Sequence, residues 1–440
     1  MTRIWRLCKE FPGLISTCIV LLWVGIAVPH NNVDPDIRSD GVGYHMWTHA
    51  LLSGDFSTCK YKNMPHFGGA ISYTNPEKNI CQNKYPPGVA LARLPFMMFA
   101  TDPSKTTSIN EYEHILSRLC ASLCLLGIFL FMIMSLRTLE VSNQITDMSI
   151  MIGTFGTGIF HYATYDNSFS HIYSALGTSI IIWVGIKIIK EQVTPMVLGL
   201  FILTSFWLFM VRNTNIFILG IWGLATLLQS RFKAKSFMIL CTGALGALLA
   251  IGVQLFYNHY TTGQLSLSSY GDESFIWNRP MFTSVLFSYQ RGVFTYYPVM
   301  LLGFLGIFFG QTRSWAILYT CLILFFAAFY GYWYAWYLGG GFGHRGFVEL
   351  APFFILMTGL VLKHTPKFFF AQLSGVIFLC VSATVILMAG YWQGSLPFMS
   401  TSPHVYWQHM RLLFLLAPLV WFAFTGKSLV AKQNLKTAAE

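Results

Sequence analysis

The stretch PHNNVDPDIRSDGVGYHMWTHALLSGDFSTCKYKN begins at Pro29 and, with the residues up to Gly88, decides how the chain is organised. It is polar and carries several carboxylates, whereas most of the remaining sequence is apolar. It directly follows the first long apolar run, Leu14–Val28. Because apolar surroundings disfavour ionised groups, the acids of this stretch are the first candidates for chemistry.

The composition predicts an all-α polytopic membrane protein. Of 440 residues, 55% are hydrophobic and 10% are charged, against about 25% charged residues in a soluble domain. The formal net charge is +11. The Lys and Arg residues lie mostly at the ends of predicted spans, as the positive-inside rule requires, and not on a soluble basic module. We therefore exclude nucleic acid as a partner.

Hydropathy and loop charge predict about twelve spans of about 20 residues each, with both termini cytoplasmic. We interpret Leu14–Val28 as an uncleaved first span. The chain is expected to form one domain, 1–440, with a large first outer loop, 30–114, that contains amphipathic interfacial helices, and a second larger loop, 258–297. A short apolar segment is expected at Val89–Ala100. Spans are expected at Met148–Thr164, Pro298–Gly310 and Trp315–Trp336, among others.

Outer loops should be poor in basic residues, yet four arginines fall on the predicted outer side: Arg212, Arg279, Arg291 and Arg345. As a set they indicate an anion to bind, because the guanidinium group suits phosphate. Internal salt bridges to outer acids are the alternative for any one of them.

Two of the nine cysteines, Cys59 and Cys81, lie in the polar first loop. Disulfides form outside the cytoplasm, so we predict a Cys59–Cys81 bond worth roughly 3 kcal/mol in the chain-entropy model. Zinc binding by this pair is the weaker alternative.

Asp40 is the strongest catalytic candidate in the first loop. It precedes Gly41 and Gly43 and a run with aromatic and apolar residues at helical spacing. Glycines free the backbone to turn sharply, which predicts that Asp40 starts an amphipathic helix on the membrane, facing a substrate that arrives from the lipid. A helix N-cap, a position that favours Asp, is the alternative.

His45 and His49 share one face of that helix, four residues apart. With Asp36 or Asp40 they could bind a metal. Without a third firm ligand the signal is weak, so the sequence predicts neither a metal nor a cofactor.

Three later motifs offer substrate contacts. Lys84 and Tyr85 precede a Pro-Pro-Gly turn and suit either a lipid phosphate or simple interfacial anchoring. Asp166, Ser170 and His171 crowd the turn YDNSFSH. Nothing around these serines resembles a nucleophile elbow, so substrate contact or turn chemistry is favoured over a catalytic triad.

The end of the span that includes Trp336 is aromatic and leads into GGGFGHRG, which holds His344 and Arg345. Aromatic faces next to polar groups suit sugar rings, and they equally suit the aromatic belt of a membrane protein.

Together the motifs SDGVGY, YPPG, DNSFSHIYS, RGVFTYYP and GGGFGHR resemble the GT-C superfamily of integral membrane glycosyltransferases, and more narrowly bacterial O-antigen-modifying, serotype-converting glucosyltransferases. The resemblance implies a GT-C-like helical bundle in the bacterial inner membrane with its active site facing the periplasm. It also implies as partners a polyprenyl-phosphate-linked sugar, membrane lipid, and lipopolysaccharide or another glycan acceptor.

The resemblance further implies residue roles for an inverting transfer. Asp40 would be the catalytic base, with Asp36 as the fallback. The donor phosphate would be bound by Arg345, Arg291, Lys84 and His344. Further substrate contacts would come from Tyr44, Tyr85, Asp166, His171 and Trp336.

Two other functions remain open from the sequence. A lipid-linked-sugar transporter or flippase would often contain internal repeats and charges in mid-span, and neither is evident. An O-antigen ligase or polymerase would share the outer arginines, but its large outer loop would be expected late in the chain.

Overall fold

The computed structural model describes residues 36–61, 63–64, 69–75, 77–271 and 273–411, with short pieces at 11, 13–15, 17–18, 413–415, 417–420 and 423. Most of the predicted first span, Leu14–Val28, lies outside the described residues. So do the end of the last predicted span and both termini.

Helices dominate the described part of the chain. In chain order they are α1 Asp40–Ser53, α2 Gly88–Met97, α3 Glu111–Thr138, α4 Asn143–Gly156, α5 Ile159–Thr164, α6 His171–Ile189, α7 Pro195–Val211, α8 Asn215–Gln229, α9 Ala234–Thr262, α10 Phe282–Phe287, α11 Val293–Tyr296, α12 Arg313–Tyr332, α13 Ala351–His364 and α14 Lys367–Trp392. Short 3₁₀ helices lie at Cys59–Tyr61, Pro298–Phe308 and Arg345–Leu350.

Contacts within the chain define two compact units. The Asp40 unit comprises Ser16–Ser135 and His161–Ser274. The Arg345 unit comprises Met1–Ile15, Leu136–Phe160 and Phe275–Glu440.

In the Asp40 unit, α7 packs against α9, α6 and α2, and α1 packs against α2. The start of α7 follows from its sequence, because the Thr194 hydroxyl accepts from the backbone nitrogen of Val197 and Pro195 occupies the first turn. The C-cap of α1 is Gly54, with φ at 71°, the left-handed conformation that glycine adopts without strain.

A two-stranded antiparallel hairpin also belongs to the Asp40 unit, and the sequence pattern did not predict it. Strand β1, Ile71–Asn75, pairs with β2, Ile80–Asn83, and Thr74 stands opposite Cys81. The buried strand β2 contacts α9.

In the Arg345 unit, α13 packs against α4 and the 298–308 helix. The predicted span Met148–Thr164 is divided into α4 and α5, because Thr157 is extended between them. A Cβ at Gly158 would lie 2.6 Å from the Tyr297 hydroxyl, so this break needs a glycine.

The protein is a multi-pass membrane protein. Within the described ranges, six helices are long and apolar enough to cross a membrane, at Glu111–Thr138, His171–Ile189, Ala234–Thr262, Arg313–Tyr332, Arg345–His364 and Lys367–Trp392. Shorter apolar helices lie at Gly88–Met97, Pro195–Val211, Asn215–Gln229 and Pro298–Phe308. The total of about twelve spans therefore stays a prediction.

Two span boundaries need correction. The predicted span Pro298–Gly310 is a 3₁₀ helix ending at Phe308, and the span expected to reach Trp336 is α12, which ends at Tyr332. The short apolar segment expected at Val89–Ala100 is the helix α2.

Candidate active site

Asp40 is the first residue of α1 and is half-buried. The N-cap is Ser39, whose side chain makes no capping hydrogen bond. Its hydroxyl instead donates to Asp40 Oδ1 over 3.5 Å. A carboxylate in the first helical turn is stabilised by the helix dipole. Asp40 therefore does not cap the helix, and its side chain remains partly accessible to a substrate.

The two glycines after Asp40 permit close approach, and they do not form the sharp turn that was expected. A Cβ at Gly41 would lie 1.9 Å from the Ser168 hydroxyl, and a Cβ at Gly43 would lie 2.3 Å from the Tyr85 ring. Both glycines lie inside α1. They let the helix backbone touch the 165–170 turn on one side and Tyr85 on the other.

The prediction of an amphipathic surface helix is wrong for α1. Every residue from Gly41 to Ala50 is buried. The helix packs against α2, and its histidines and aromatic residues face other groups of the Asp40 unit. Burial on all sides makes α1 a rigid support for Asp40.

Tyr44 interacts with several polar groups, including Asp40. It is buried, and burial, with smaller contributions from Tyr270 and Asp40, raises its pKa above the usual range. Arg212 and a hydrogen bond with Ser170 act in the opposite direction. A neutral phenol is thus held one helical turn from the candidate base, among groups that can hydrogen-bond a sugar.

Arg212 was noticed in the sequence only as an outer cation, but it contacts a predicted substrate residue. Its Nη1 lies 2.9 Å from His171 Nδ1. The guanidinium is half-buried, whereas the imidazole is buried. The structure therefore brings Tyr44, His171 and Arg212 into one polar region of the Asp40 unit.

Lys84 and Tyr85 lie in the same unit. The Tyr85 ring centroid is 4.8 Å from that of Tyr44, and the Lys84 ammonium lies 5.4 Å from the Tyr85 centroid and 5.8 Å from that of Tyr270. Lys84 also forms a 2.8 Å ion pair with Glu273. A phosphate that binds Lys84 would therefore compete with the Glu273 carboxylate for the ammonium group.

Asp36, the fallback base, is buried in an ion pair. Arg118 Nε and Nη2 donate to its two carboxylate oxygens over 3.1 and 2.7 Å. Asn167 Nδ2 donates to Oδ1. A carboxylate held by so many donors is a weak base, and this geometry favours Asp40 for the role.

Asp166 is likewise enclosed. Arg38 Nη2 lies 2.7 Å from Oδ1, and His161 Nε2 lies 2.7 Å from Oδ2. Burial opposes ionisation, but the charges of Arg38 and then His161 lower the pKa of Asp166 below its ordinary value. This side chain, predicted to contact substrate, fixes the turn that carries Ser168 and His171.

In the Arg345 unit, Arg291 is completely buried. It donates to the carbonyl oxygens of Gln290, Pro397 and Phe398, and to the hydroxyls of Tyr296 and Thr401. These contacts commit the guanidinium to holding the 397–401 segment, a structural role that differs from the predicted binding of phosphate.

Arg345 begins a 3₁₀ helix and is half-buried. The glycine-rich loop before it is unusual, because Leu338, Gly339, Gly341 and Gly343 all have positive φ. His344 is buried, and its Nε2 lies 2.9 Å from the backbone oxygen of the half-buried Trp336. His344 therefore helps to fix the loop that presents Arg345.

The predicted Cys59–Cys81 disulfide is present. The Thr58 hydroxyl donates to the Cys81 carbonyl over 2.6 Å. Two residues after Cys81, Asn83 Nδ2 donates to the backbone oxygen of Gly43 over 2.7 Å. The covalent bond thus joins the 3₁₀ helix Cys59–Tyr61 to β2, and the Asn83 hydrogen bond joins β2 to α1.

The sequence suggested that the histidine pair of α1 could bind a metal with Asp36 or Asp40. In the described structure the possible third ligand is neither aspartate. It is Glu113, at the start of α3. Sequence reasoning missed Glu113 and Arg118 because both lie in the first turns of a long apolar helix, where charged residues ordinarily mark a membrane boundary.

A scan against models of protein families finds no match for the sequence, and neither does a search of curated proteins. Among solved structures, the chain is similar to the apo oligosaccharyltransferase of Archaeoglobus fulgidus, with 11% identity and a TM-score of 0.48 over 89% of this chain and 56% of that chain. It is also similar to ArnT from Cupriavidus metallidurans bound to undecaprenyl phosphate, with 11% identity and a TM-score of 0.45 over 94% and 77% of the two chains. This chain spans little more than half the length of the archaeal protein. At these identities and TM-scores, neither similarity assigns a family, an activity or a substrate to this chain.

Proposed function

We propose that the protein is an inverting glycosyltransferase that moves a sugar, a hexose such as glucose, from a polyprenyl-phosphate donor to a periplasmic glycan such as lipopolysaccharide O-antigen. The observation that carries the proposal is the setting of Asp40. A half-buried carboxylate begins a buried helix that also carries Tyr44, and in the same unit Arg212 Nη1 lies 2.9 Å from His171 Nδ1. This combines a candidate base with sugar-binding and phosphate-binding groups.

In the proposed reaction, Asp40 accepts the proton of an acceptor hydroxyl. The hydroxyl oxygen attacks the anomeric carbon, and the bond from that carbon to the phosphate oxygen breaks. General-base assistance of this kind contributes about 10²–10⁴-fold. A single displacement inverts the anomeric configuration, and the polyprenyl phosphate leaves with the bonding electrons.

Stabilising the departing phosphate is the larger electrostatic task. We assign it to Lys84, and we add Arg212 because its guanidinium is half-buried beside His171. Arg345 keeps the phosphate contact that the sequence motifs imply for it. Arg291 is assigned a positioning role, because its Nη1 and Nη2 donate to backbone oxygens and hydroxyls. Aromatic faces at Tyr85 and Trp336 would contact sugar rings.

The test uses the purified chain in detergent with radiolabelled undecaprenyl-phosphate glucose and lipopolysaccharide. One hexose added per acceptor site, with the opposite anomeric configuration to the donor, is the expected product. Transfer of a whole glycan would indicate the ligase or polymerase alternative. Absence of transfer in detergent, together with movement of the donor across sealed proteoliposomes, would indicate a flippase.

A further inference from the structure

The buried cluster of His45, His49 and Glu113 is separate from the roles proposed above. His45 and His49 lie on one face of α1, and Glu113 lies in the first turn of α3. All three side chains are almost fully buried. One ligand atom from each side chain falls within 4.8 Å of the other two, the only group of three such residues found among those that the structure describes.

The distances from Glu113 to the two histidines are close to those between ligand atoms of a bound metal ion. His45 Nε2 lies 3.2 Å and His49 Nε2 lies 3.6 Å from the same oxygen, Glu113 Oε1. Ligand atoms at 2.0–2.1 Å from a tetrahedral zinc ion would be about 3.3 Å apart. Both edges that share Glu113 Oε1 are close to this separation, so small side-chain rotations would complete the set.

The carboxylate is oriented by a second contact. Glu113 Oε2 accepts from the backbone nitrogen of Asn110 over 2.7 Å, and Asn110 Oδ1 accepts from the backbone nitrogen of Glu113 over 3.0 Å. This reciprocal pair is a capping arrangement at the start of α3. It leaves Oε1 directed toward the two imidazoles.

A hydrogen bond between His45 and Glu113 would satisfy these two side chains but would leave His49 unsatisfied. Neither ring nitrogen of His49 has a hydrogen-bond partner among the described residues, and an unsatisfied buried polar group costs about 1–3 kcal/mol. A bound metal ion would satisfy a nitrogen of His49.

We propose that His45, His49 and Glu113 bind a divalent transition-metal ion of the zinc type. Two imidazole nitrogens and one carboxylate oxygen suit zinc. Because the site is buried, the ion would join α1 to the start of α3 and so hold the helix that begins at Asp40. This role does not depend on the identity of the reaction.

The test measures metal binding directly. The full chain is purified with a tag that contains no histidine, stripped with a chelator and titrated with Zn²⁺ or Co²⁺. We expect one ion per chain, a higher unfolding temperature with Zn²⁺, and the intense visible absorption of tetrahedral Co²⁺. His49→Gln and Glu113→Gln should each weaken binding at least tenfold, whereas His259→Gln, at an exposed position of α9, should bind as the wild type does.

The proposal is overturned if the wild type binds no Zn²⁺ and its unfolding temperature does not change. It is equally overturned if both ligand variants retain wild-type affinity, which would identify an adventitious ion only. Should the variants fail to fold, the Co²⁺ spectrum of the wild type decides. Tetrahedral absorption supports the site, and the weak spectrum of hexahydrated Co²⁺ contradicts it.

Discussion

Asn83 Nδ2 donates to the backbone oxygen of Gly43 over 2.7 Å, and this bond joins the disulfide-closed hairpin to the helix that begins at Asp40. Trp47 of the same helix donates its indole N–H to the Tyr85 oxygen over 2.6 Å. The segment 83–85 therefore contacts α1 at two neighbouring points. Changes in the hairpin should consequently reach the candidate base.

Removal of the disulfide should destabilise the protein. Cys59→Ser combined with Cys81→Ser should lower the free energy of unfolding by about 3 kcal/mol, because the unfolded loop of 22 residues gains freedom. Unfolding monitored by tryptophan fluorescence, with and without reductant, measures this. Cys241→Ser, at an exposed free thiol, is the matched control. An unchanged midpoint after verified reduction of the wild type would contradict the prediction.

Asp36→Asn should act mainly on stability. Breaking one side of a buried ion pair costs about 3–5 kcal/mol, because Arg118 keeps its charge without the opposing carboxylate. Thermal unfolding of Asp36→Asn and Asp40→Asn, measured in the same detergent, should show a large loss only for Asp36→Asn. If Asp36→Asn is as stable as the wild type and inactive, Asp36 is the base.

Arg345→Ala should weaken donor binding while the chain stays folded. Loss of one charge-assisted contact with a phosphate corresponds to a rise in KM of about tenfold to hundredfold. Donor titration at saturating acceptor measures this, and Arg411→Ala, at an exposed arginine outside the predicted anion-binding set, is the control. Unchanged KM and kcat would make Arg345 a structural cation.

Arg291→Ala should instead lower the unfolding temperature. The substitution removes the charged donor to the carbonyl oxygens of Pro397 and Phe398, and a hydrogen bond to a charged group contributes about 1.5–3 kcal/mol. A loss of donor affinity without any loss of stability would restore the phosphate-binding role that the sequence predicted.

The Asp166 ion pairs should make stability fall in acid. Their positive neighbours hold the pKa of Asp166 below its ordinary value, so the contribution is complete above the unfolded pKa of about 4 and is lost as the pH falls below it. Asp166→Asn should be less stable than the wild type at pH 7, and the difference should narrow in acid. A difference that stays constant with pH would exclude this linkage.

The sequence predicted the membrane class and the disulfide because each depends on composition or on local chemistry. Apolar runs, two cysteines in one polar loop and an acid before a helix can be recognised without tertiary contacts. The substrate contacts expected at Tyr44, Tyr85 and His171 stay predictions, and these residues lie in one unit with Asp40.

The partners of buried charges could not be predicted. Arg118 lies 82 residues from Asp36, and Glu113 lies 68 residues from His45. Only folding brings such pairs together. The burial of residues 41–50 of α1 was missed for the same reason, because residues distant in the sequence also cover the faces of the helix that the pattern did not predict to be buried.

The transfer rate of Asp40→Asn, measured beside Asp102→Asn at an exposed aspartate, tests the central claim most directly. The account predicts that Asp40→Asn loses about 10²–10⁴-fold in kcat while its unfolding temperature and donor affinity stay near wild type, and that Asp102→Asn transfers sugar normally. Turnover by Asp40→Asn at the wild-type rate would contradict it.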